Sequence, residues 1–265
     1  MSDLPLIRFV MAIGEPPFAQ SALAYLNTQL AVDHVSFFSL DHELTPHFLD
    51  AASKAGAPTA LLAAQLYERS LFYRHDPATQ RIGGRSDEED VMMFRQIASD
   101  IRDPKYRDRL YRHFNLLERI SLVRAVNGRW FTFNVYRDVA SGAFDSHDVD
   151  VLSELAALLV TCTAKHIALS GKASESGSEP ESRAYLEALL ESIEPRLTRR
   201  ERQVCALALL GSTVESIAAT LGIQQSTVAT LRRRAYHKLE ITKLNGLFAL
   251  CIAKISRQND ASRDL

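Results

Sequence analysis

The chain has 265 residues, of which 46% are hydrophobic and 24% are charged, which is ordinary for a folded globular protein. The cysteines Cys162, Cys205 and Cys251 are too few and too dispersed for a disulfide framework or a four-ligand zinc site. The apolar runs fall short of the roughly 20 residues that a bilayer span requires, and an acid near the N-terminus is unlike a secretory signal. We therefore expect a cytoplasmic protein with no membrane partner.

The net charge of −1 conceals an uneven distribution of charge. Residues 196–265 carry 12 Lys and Arg against 5 Asp and Glu, a net charge of +7, whereas residues 1–170 carry 17 against 21, a net charge of −4. A basic region joined to an acidic one is typical of nucleic-acid-binding proteins. Charge alone is equally consistent with a solvated charged face.

Helical and strand patterns alternate in the first part of the chain. Pro17 stands where a first helical residue is expected, and apolar residues follow it at helical spacing. Residues 35–40 read as a buried strand. The Ala- and Leu-rich residues 59–73 predict a helix that ends before Asp76-Pro77.

A hairpin and a long helix are predicted to complete this region. Asn127-Gly128 lies between apolar runs that alternate, and it favours a two-residue hairpin turn in which both residues need positive φ. Asp145 or Ser146 is placed to cap a final helix with one apolar stripe. Together these patterns predict an α+β, sensor-like sandwich in which helices cover an antiparallel sheet.

A segment rich in Ser, Gly, Glu and Pro follows, reading SGKASESGSEPES from Ser170. Such a composition cannot bury enough apolar surface to offset the entropy of ordering it. We therefore expect a flexible linker at residues 170–183, between a ligand-sensing or dimerisation domain at 1–169 and a second domain at 184–265.

The second domain reads as helix almost throughout. Two glycines, Gly211 and Gly222, lie at the joints between successive segments. The predicted helices span residues 184–193, 198–209, 214–221, 226–239 and 243–255. Four short helices after a connecting helix predict an all-α domain with a four-helix helix-turn-helix arrangement.

The helix at residues 226–239 carries the clearest functional pattern. On a helical projection its apolar side chains share an inward side: Val228, Leu231, Ala235 and Leu239. The opposite side carries small and polar residues, and Arg232 and Arg234 flank it. Small residues allow the backbone to approach base edges while cations reach the bordering phosphates, as a DNA-recognition helix requires. A run of three arginines can also simply be solvated.

Residues 196–256 resemble the C-terminal DNA-binding module of LuxR-type transcriptional regulators. The matching positions keep the family's order and spacing: Leu197-Thr198-Arg199-Arg200-Glu201-Arg202-Gln203-Val204, Gly211, Ile217-Ala218, Leu221, Ile223, Thr227-Val228 and Lys238-Leu239. The resemblance implies binding to double-stranded DNA as a homodimer, with the last helix at the dimer contact. The stripe expected there comprises Leu244, Leu247, Cys251 and Ile255.

Eleven residues are predicted to face the DNA: Thr198, Arg200, Ser226, Thr227, Ala229, Thr230, Arg232, Arg233, Arg234, His237 and Lys238. Three positions depart from the family pattern. Ala229 replaces a common Lys or Arg, Leu231 replaces a common His, and Gln224 stands where a Ser usually caps the recognition helix. The operator sequence therefore cannot be taken from relatives.

The first domain resembles the autoinducer-binding domain of the same class, since Tyr67 precedes Asp76-Pro77 by nine residues. In that family the matching Tyr and Asp contact an acyl-homoserine lactone, and the carboxylate accepts a hydrogen bond from the ligand amide. The family also carries tryptophans around these positions, whereas this chain has only Trp130, and Ala63 lies where the first would be. An atypical ligand, or none, is expected.

Five residues are candidates for ligand binding: Tyr67, Asp76, Trp130, Thr132 and Asn134. The last three share one face of the predicted hairpin with Tyr136, opposite the apolar Phe131, Phe133 and Val135. This mixed polar and aromatic face could line a pocket or could be the solvent face of the sheet.

No catalytic arrangement, metal site or cofactor is predicted. The cysteines lie at apolar helical positions, and the histidines do not pair at the spacing of a helical metal site. A phosphorylated response regulator needs paired acids after its first strand, which Asp41-His42-Glu43 does not match. The remaining alternative is a first domain that serves only for dimerisation or protein binding.

Overall fold

The computed structural model describes residues 4–16, 18–54, 57–69, 72–82, 90–170 and 179–261. The chain divides into two compact units, Met1–Gly177 and Ser178–Leu265.

Within the described part of the first unit, five strands form one antiparallel sheet in the order β2-β1-β5-β4-β3. The strands are β1 (His34–Leu40), β2 (Pro46–Ser53), β3 (Met92–Ile97), β4 (Leu116–Val126) and β5 (Arg129–Asp138). The helices are α1 (Leu4–Met11), α2 (Phe18–Leu26), α3 (Ala57–Arg69), α4 (Pro77–Ile82), α5 (Pro104–Tyr106), which continues as a π-helical turn (Arg107–Arg112), and α6 (Ser146–Ser170). The predicted α+β class with an antiparallel sheet and covering helices is confirmed.

The predicted hairpin joins β4 to β5. Asn127 and Gly128 both adopt positive φ, of 52° and 73°, which matches the turn that the right-handed twist of a hairpin favours. The turn fixes the register so that Ser121 lies opposite Asn134. It therefore determines which side chains of the two strands share a face.

The two faces of the sheet differ because side chains alternate along a strand. One face packs with α2 and α6 in the main apolar core, to which Phe37, Ile120, Phe133 and Leu152 belong. The polar residues of the other face are buried as well: Ser36, Arg119, Ser121, Thr132 and Asn134. The solvent-face alternative for the hairpin is therefore wrong at Thr132 and Asn134.

Helix α6 begins with a reciprocal cap. The Asp148 backbone N–H donates to Asp145 Oδ1 at 2.9 Å, and the Asp145 N–H donates to Asp148 Oδ2 at 3.0 Å. By length and composition alone this helix could cross a membrane, but Leu152, Leu159 and Ile167 lie in the core of the unit. Its apolar character therefore has an explanation within the fold.

Two helix predictions for this unit concern Pro17 and residues 59–73. Pro17 lies outside the described residues. The predicted helix 59–73 is wrong at its end, because α3 ends at Arg69 and Phe72–His75 form a 3-10 turn. A proline follows at position 77, and the residue before a proline disfavours helical backbone, so the chain turns before α4.

In the second unit, helices again account for most of the described residues. They are α7 (Glu179–Ile193), α8 (Arg199–Leu209), α9 (Val214–Leu221), α10 (Gln225–Lys238) and α11 (Leu244–Ala261). The predicted start at residue 184 is wrong, because α7 begins five residues earlier and takes in the end of the expected linker 170–183. Pro180 suits a first helical turn, where its missing N–H has no intrahelical partner to lose. The linker residues 171–178 lie outside the described residues.

The predicted dimer stripe on α11 is not exposed. Leu247 and Cys251 are fully buried and Ile255 nearly so, because α11 packs against α7 and α8 of its own unit. The expectation that Leu247, Cys251 and Ile255 form the dimer contact is therefore wrong, whereas Leu244 is half-buried. The physical reason is the long helix α7, whose Leu186 and Leu190 are also fully buried.

Candidate DNA-binding surface and ligand cavity

Helix α8 begins with a capping box. Thr198 Oγ1 accepts a hydrogen bond from the Glu201 backbone N–H, and Glu201 Oε2 accepts one from the Thr198 N–H at 2.8 Å. The same carboxylate accepts a 2.7 Å hydrogen bond from Lys238 Nζ, which also donates to the Arg196 carbonyl. Burial favours the neutral acid, but the hydrogen bonds from Lys238 and Thr198 outweigh it and lower the pKa of Glu201.

The turn between α9 and α10 is built on Gly222. This residue ends α9 in the left-handed region, with φ of 64°, where glycine carries no Cβ penalty. Gln224 then occupies the N-cap position of α10, and its side chain makes no capping hydrogen bond. The departure from the family pattern at Gln224 therefore leaves α10 without a side-chain cap.

Helix α10 has one buried and one open side. Val228 and Ala235 are fully buried, and Val228 packs with Leu207 and Ile217 of the two preceding helices. This confirms the predicted inward side. The opposite side is exposed at Ser226, Thr227, Ala229, Arg233, Arg234 and His237. The helix therefore presents small polar residues and cations outward from an apolar base.

A second candidate site lies under the polar face of the sheet, where Asp76 is fully buried. Its Oδ2 accepts hydrogen bonds from Arg119 Nη2 at 2.6 Å, Tyr67 Oη at 3.0 Å and Tyr106 Oη at 3.2 Å. Its Oδ1 accepts one from the Ala78 backbone N–H at 3.0 Å. Four protein donors therefore surround this carboxylate.

The buried surroundings of Asp76 and Arg119 keep the phenol groups of the neighbouring tyrosines neutral. Burial, followed by the charge of Asp76, raises the pKa of Tyr67 well above its ordinary value. Burial likewise raises the pKa of Tyr106, and the Tyr111 phenol beside it adds to this effect. The phenols are thus hydrogen-bond donors at neutral pH, and Arg119 balances the charge of Asp76.

Two cavities adjoin the cluster formed by Asp76, Arg119, Tyr67 and Tyr106. Both are lined by Phe38 and Tyr67. One, of about 300 Å³ including open solvent, has Asp76, Arg119, Ser121, Thr132 and Asn134 among its lining. The other, of about 410 Å³ including open solvent, is mainly apolar and lies against α3 and the π-helical turn. A polar cavity beside an apolar one is an arrangement that suits a small amphipathic molecule.

Comparison with known proteins places the chain in a family. Residues 195–250 match the GerE family, described as bacterial regulatory proteins of the luxR family. A protein of Aeromonas salmonicida described as an HTH-type transcriptional regulator in the exeN 3′ region is 30% identical over 171 residues, covering 60% of this chain and 85% of that protein. This chain belongs to the luxR family of bacterial regulatory proteins.

Solved structures of luxR-family regulators are also similar to the chain. Escherichia coli SdiA has 15% sequence identity and a TM-score of 0.45, over 94% of this chain and 95% of that one. CepR2 from Burkholderia cenocepacia, described as an N-acylhomoserine lactone dependent LuxR family transcription factor, has 13% identity and a TM-score of 0.41, over 66% of this chain and 100% of that one.

The predicted DNA contacts of this luxR-family chain that were not described above are either exposed or partly buried. Outside α10, Thr198 and Arg200 are exposed, although the Thr198 side chain caps α8 and Arg200 donates to Gln203 at 3.1 Å. Partly buried are Thr230, Arg232 and Lys238. Lys238 is already engaged within its own unit, because it donates hydrogen bonds to Glu201 and to the Arg196 carbonyl. All eleven residues stay predictions as DNA contacts.

Four of the five predicted ligand-binding residues line the same polar cavity: Tyr67, Asp76, Thr132 and Asn134. Trp130 instead packs at the edge of an apolar cluster with Leu40 and Phe94. Sequence reasoning missed Arg119, which pairs with Asp76 from β4. A signal was available, because the charged residues Glu118 and Arg119 interrupt the otherwise largely apolar residues 116–123 and each has to find a partner when the strand is buried.

Proposed function

We propose that this protein is a cytoplasmic transcriptional regulator that binds operator DNA as a homodimer through α10, and that its N-terminal domain gates this binding in response to a small molecule. The observation that carries the proposal is the exposed side of α10, with Arg233 and Arg234 outward and Val228 beneath, in a segment that matches the luxR family. Cations beside small residues suit the phosphates and base edges of a major groove.

The cavities support the gating part of the proposal. A signal bound between the polar face of the sheet and α3 would contact residues of β1, β4, β5 and α3 at once. Such a ligand stabilises the conformation that it binds, by about 2.7 kcal/mol at a hundred times its Kd. The proposed ligand contacts are Tyr67, Asp76, Thr132 and Asn134, with Trp130 near the site.

One observation favours a second candidate function, a ligand-independent N-terminal domain that serves for dimerisation or protein binding. The carboxylate of Asp76 already accepts four hydrogen bonds from the protein, three of them from Arg119, Tyr67 and Tyr106. The Asp76 carboxylate therefore has hydrogen-bond partners without a ligand. Thermal unfolding of the full chain against a metabolite panel separates the two candidates, since only the sensor gains stability from a panel member.

The DNA-binding part is tested with duplexes selected from genomic fragments that the full chain retains. Fluorescence anisotropy at several salt concentrations then compares the wild type with R233A/R234A. If both arginines contact phosphates, the affinity falls at every salt concentration and the slope of log K against log salt falls by about 2, because each contact contributes about 0.9.

The matched control is R8A/R74A, which removes the same charge from exposed positions of the other unit. It should leave both the affinity and the slope unchanged. An equal effect of the two double variants would remove α10 from the DNA surface. Footprinting of the selected duplex tests the dimer, which protects two half-sites about 10 base pairs apart or a multiple of this.

A further inference from the structure

Helix α1 is apolar on both of its sides. Phe9 is fully buried in the main core of the first unit. The side opposite Phe9 carries Leu4, Ile7 and Met11 at the spacing of one helical face, and Val10 flanks this stripe. All four are exposed, and Met11 is 75% exposed. A helix that packs on one side only usually turns polar residues to water, so the outer side of α1 is unusual.

Leu169, in the last turn of α6, extends this exposed apolar surface. The turn that follows α1 lies against α6, because the Gly14 N–H donates to His166 Nδ1 at 3.0 Å. A Cβ added to Gly14 would lie only 3.3 Å from Leu169 Cβ, and Leu169 is 62% exposed. The α1 patch comprises these exposed side chains: Leu4, Ile7, Val10, Met11 and Leu169.

The size of the α1 patch suits a contact between proteins. Seven large apolar residues are exposed in the part of the chain that the structure describes; five form this patch, and the others are Val139, in the turn after β5, and Tyr185 of α7. The five leave on the order of 400 Å² of apolar surface in water, and patches of this size are often functional. A stable contact buries about 800 Å² on each partner, somewhat more than half of it apolar.

A second copy of this chain fits the patch better than a membrane does. Helices that lie on a bilayer usually carry several Lys and Arg on their polar side, whereas α1 has eight residues and its one cation is Arg8. A two-fold contact needs a surface that complements itself, and an apolar surface does so without matching charges. Arg8 and Glu15 are exposed at the border of the patch, where charges contribute little to affinity.

The other exposed helical surfaces are less suitable for a homodimer. On α11, Leu247 and Cys251 are covered by helices of their own unit. The exposed side of α6 before Leu169 is largely polar, as at Ser153 and Thr161. The α1 patch is therefore the largest exposed apolar surface that the described helices offer to a second copy.

The position of Leu169 relates the patch to DNA binding. Leu169 is the penultimate residue of α6, and residues 171–178 connect α6 to α7. One such connection spans at most about 30 Å, so two of them that start close together reach about 60 Å. The half-sites of a dimeric regulator lie about 34 Å apart. Pairing beside Leu169 would therefore keep two DNA-binding units within reach of two half-sites, which raises the effective concentration of the second unit once the first has bound.

We propose that the α1 patch is the homodimer surface of this protein, on which a second copy packs its own α1 and Leu169 about a two-fold axis. This inference rests on the proposed function, which requires a homodimer, and it assigns the dimer contact to the first unit.

Sedimentation velocity of the full chain at several concentrations tests the assignment. The wild type should dimerise, and I7E/M11E should raise the dissociation constant of the dimer at least about a hundredfold, because two glutamates replace apolar contacts in each copy. L169E should act in the same direction. The matched control V139E places the same charge at an exposed apolar position outside the patch and should leave the dimer unchanged. Circular dichroism checks the folding of each variant.

A cross-link locates the contact directly. M11C places a thiol in the patch, whereas the native Cys162, Cys205 and Cys251 are buried. A short bismaleimide should join two copies of M11C into a covalent dimer on a denaturing gel. V139C should give no such product.

Four results would overturn the assignment: a dimer that I7E/M11E leaves intact, a dimer that T161E on α6 disrupts instead, equal cross-linking of M11C and V139C, or a wild type that stays monomeric. In the last case, sedimentation with phosphatidylcholine–phosphatidylglycerol vesicles that I7E/M11E abolishes would identify the patch as a membrane contact.

DNA binding by the same proteins separates this assignment from the proposed function. If the wild type and I7E/M11E both bind a duplex with two half-sites as dimers, the α1 patch is rejected and the homodimeric regulator stands. If the wild type occupies that duplex as a monomer, or does not bind it, the proposed homodimeric regulator is itself rejected.

Discussion

Two arginines in each unit of the chain lie in opposite environments. In the first unit, Arg119 and Arg137 are 4% and 7% exposed, and they pair with Asp76 at 2.6 Å and Asp148 at 2.8 Å. In the second unit, Arg233 and Arg234 stand in solvent on α10. The same residue type therefore serves internal pairing in one unit and remains open to a partner in the other.

The difference follows from the cost of desolvation. A buried guanidinium is tolerated only where a carboxylate and further hydrogen bonds offset the loss of water, and removing one partner leaves an uncompensated charge. An exposed guanidinium has no such cost, and it remains available for a polyanion. Substitutions of Arg119 or Arg137 should thus change stability, and those of Arg233 or Arg234 should change binding.

The largest expected effect is that of Arg119→Met. It leaves Asp76 charged and buried without its cation, and we expect the free energy of unfolding of the first unit to fall by about 3 to 5 kcal/mol. Trp130, the only tryptophan of the chain, lies in this unit, so its fluorescence in a urea titration measures the loss. D76N/R119M, which removes both charges, should recover part of it. A loss below about 1 kcal/mol for the single variant would contradict a buried pair.

A smaller, pH-dependent effect is expected for Glu201→Gln in the second unit. Glutamine keeps the capping-box acceptor but loses the charge that pairs with Lys238, which should cost about 1 kcal/mol at pH 7. Because the pKa of folded Glu201 lies below its ordinary value of 4.5, this stability is present at neutral pH and is lost as the pH falls through the folded pKa.

Hydrogen exchange of α8 at pH 7 and at pH 3 measures this difference between wild type and variant. The difference in exchange rate between wild type and Glu201→Gln should be smaller at pH 3 than at pH 7. A difference that stays constant with pH would mean that the charge of Glu201 does not contribute to the stability of α8.

Gln224→Ser should be mildly stabilising. The residue already has extended backbone, with φ of −76° and ψ of 151°, and its side chain does not cap α10. A serine hydroxyl at this position can accept from the first turn of the helix, a gain of about 0.5 to 1 kcal/mol. Hydrogen exchange at the start of α10 should slow, with Gln224→Ala as the control that adds no acceptor. Equal exchange in the two variants would exclude capping.

The smallest stability effect is expected for R233A/R234A. These exposed arginines should change the free energy of unfolding of the second unit by less than about 0.5 kcal/mol, as surface substitutions usually do. Thermal unfolding followed by helical circular dichroism measures it, with L207A as a positive control because Leu207 is fully buried. A large loss of stability in R233A/R234A would mean that these exposed arginines contribute to folding, as the buried Arg119 does.

Much of the fold could be predicted from the sequence because local signals decided it. Asn127-Gly128 determined the hairpin, Asp145 and Ser146 marked the start of α6, and apolar periodicity placed α8 to α10 within one or two residues. Strand β2 escaped prediction, since PHFLDAAS shows no clean alternation and opens with a proline. Its pairing with β1 is a tertiary effect that propensity does not carry.

The residues of the candidate ligand cavity could be predicted only in part, because some of their contacts also depend on tertiary structure. Tyr67 and Asp76 could be named from a resemblance, and Thr132 and Asn134 from alternation along one strand. Arg119 lies 43 residues beyond Asp76, and their pairing depends on the register of β4 within the sheet. The dimer stripe on α11 failed similarly, because apolar spacing predicts that Leu247 and Cys251 are covered but does not say by which helix.

The hydrogen bonds of Lys238 affect how α10 would meet a duplex. Lys238 joins the end of α10 to the Glu201 carboxylate, in the first turn of α8, and to the Arg196 carbonyl that precedes this helix. A helix already held at one angle loses little freedom when it docks, so less of the contact energy is consumed by immobilisation. Lys238→Met would break this link and would also remove one of the predicted DNA contacts, so we expect it to lower the affinity through both effects.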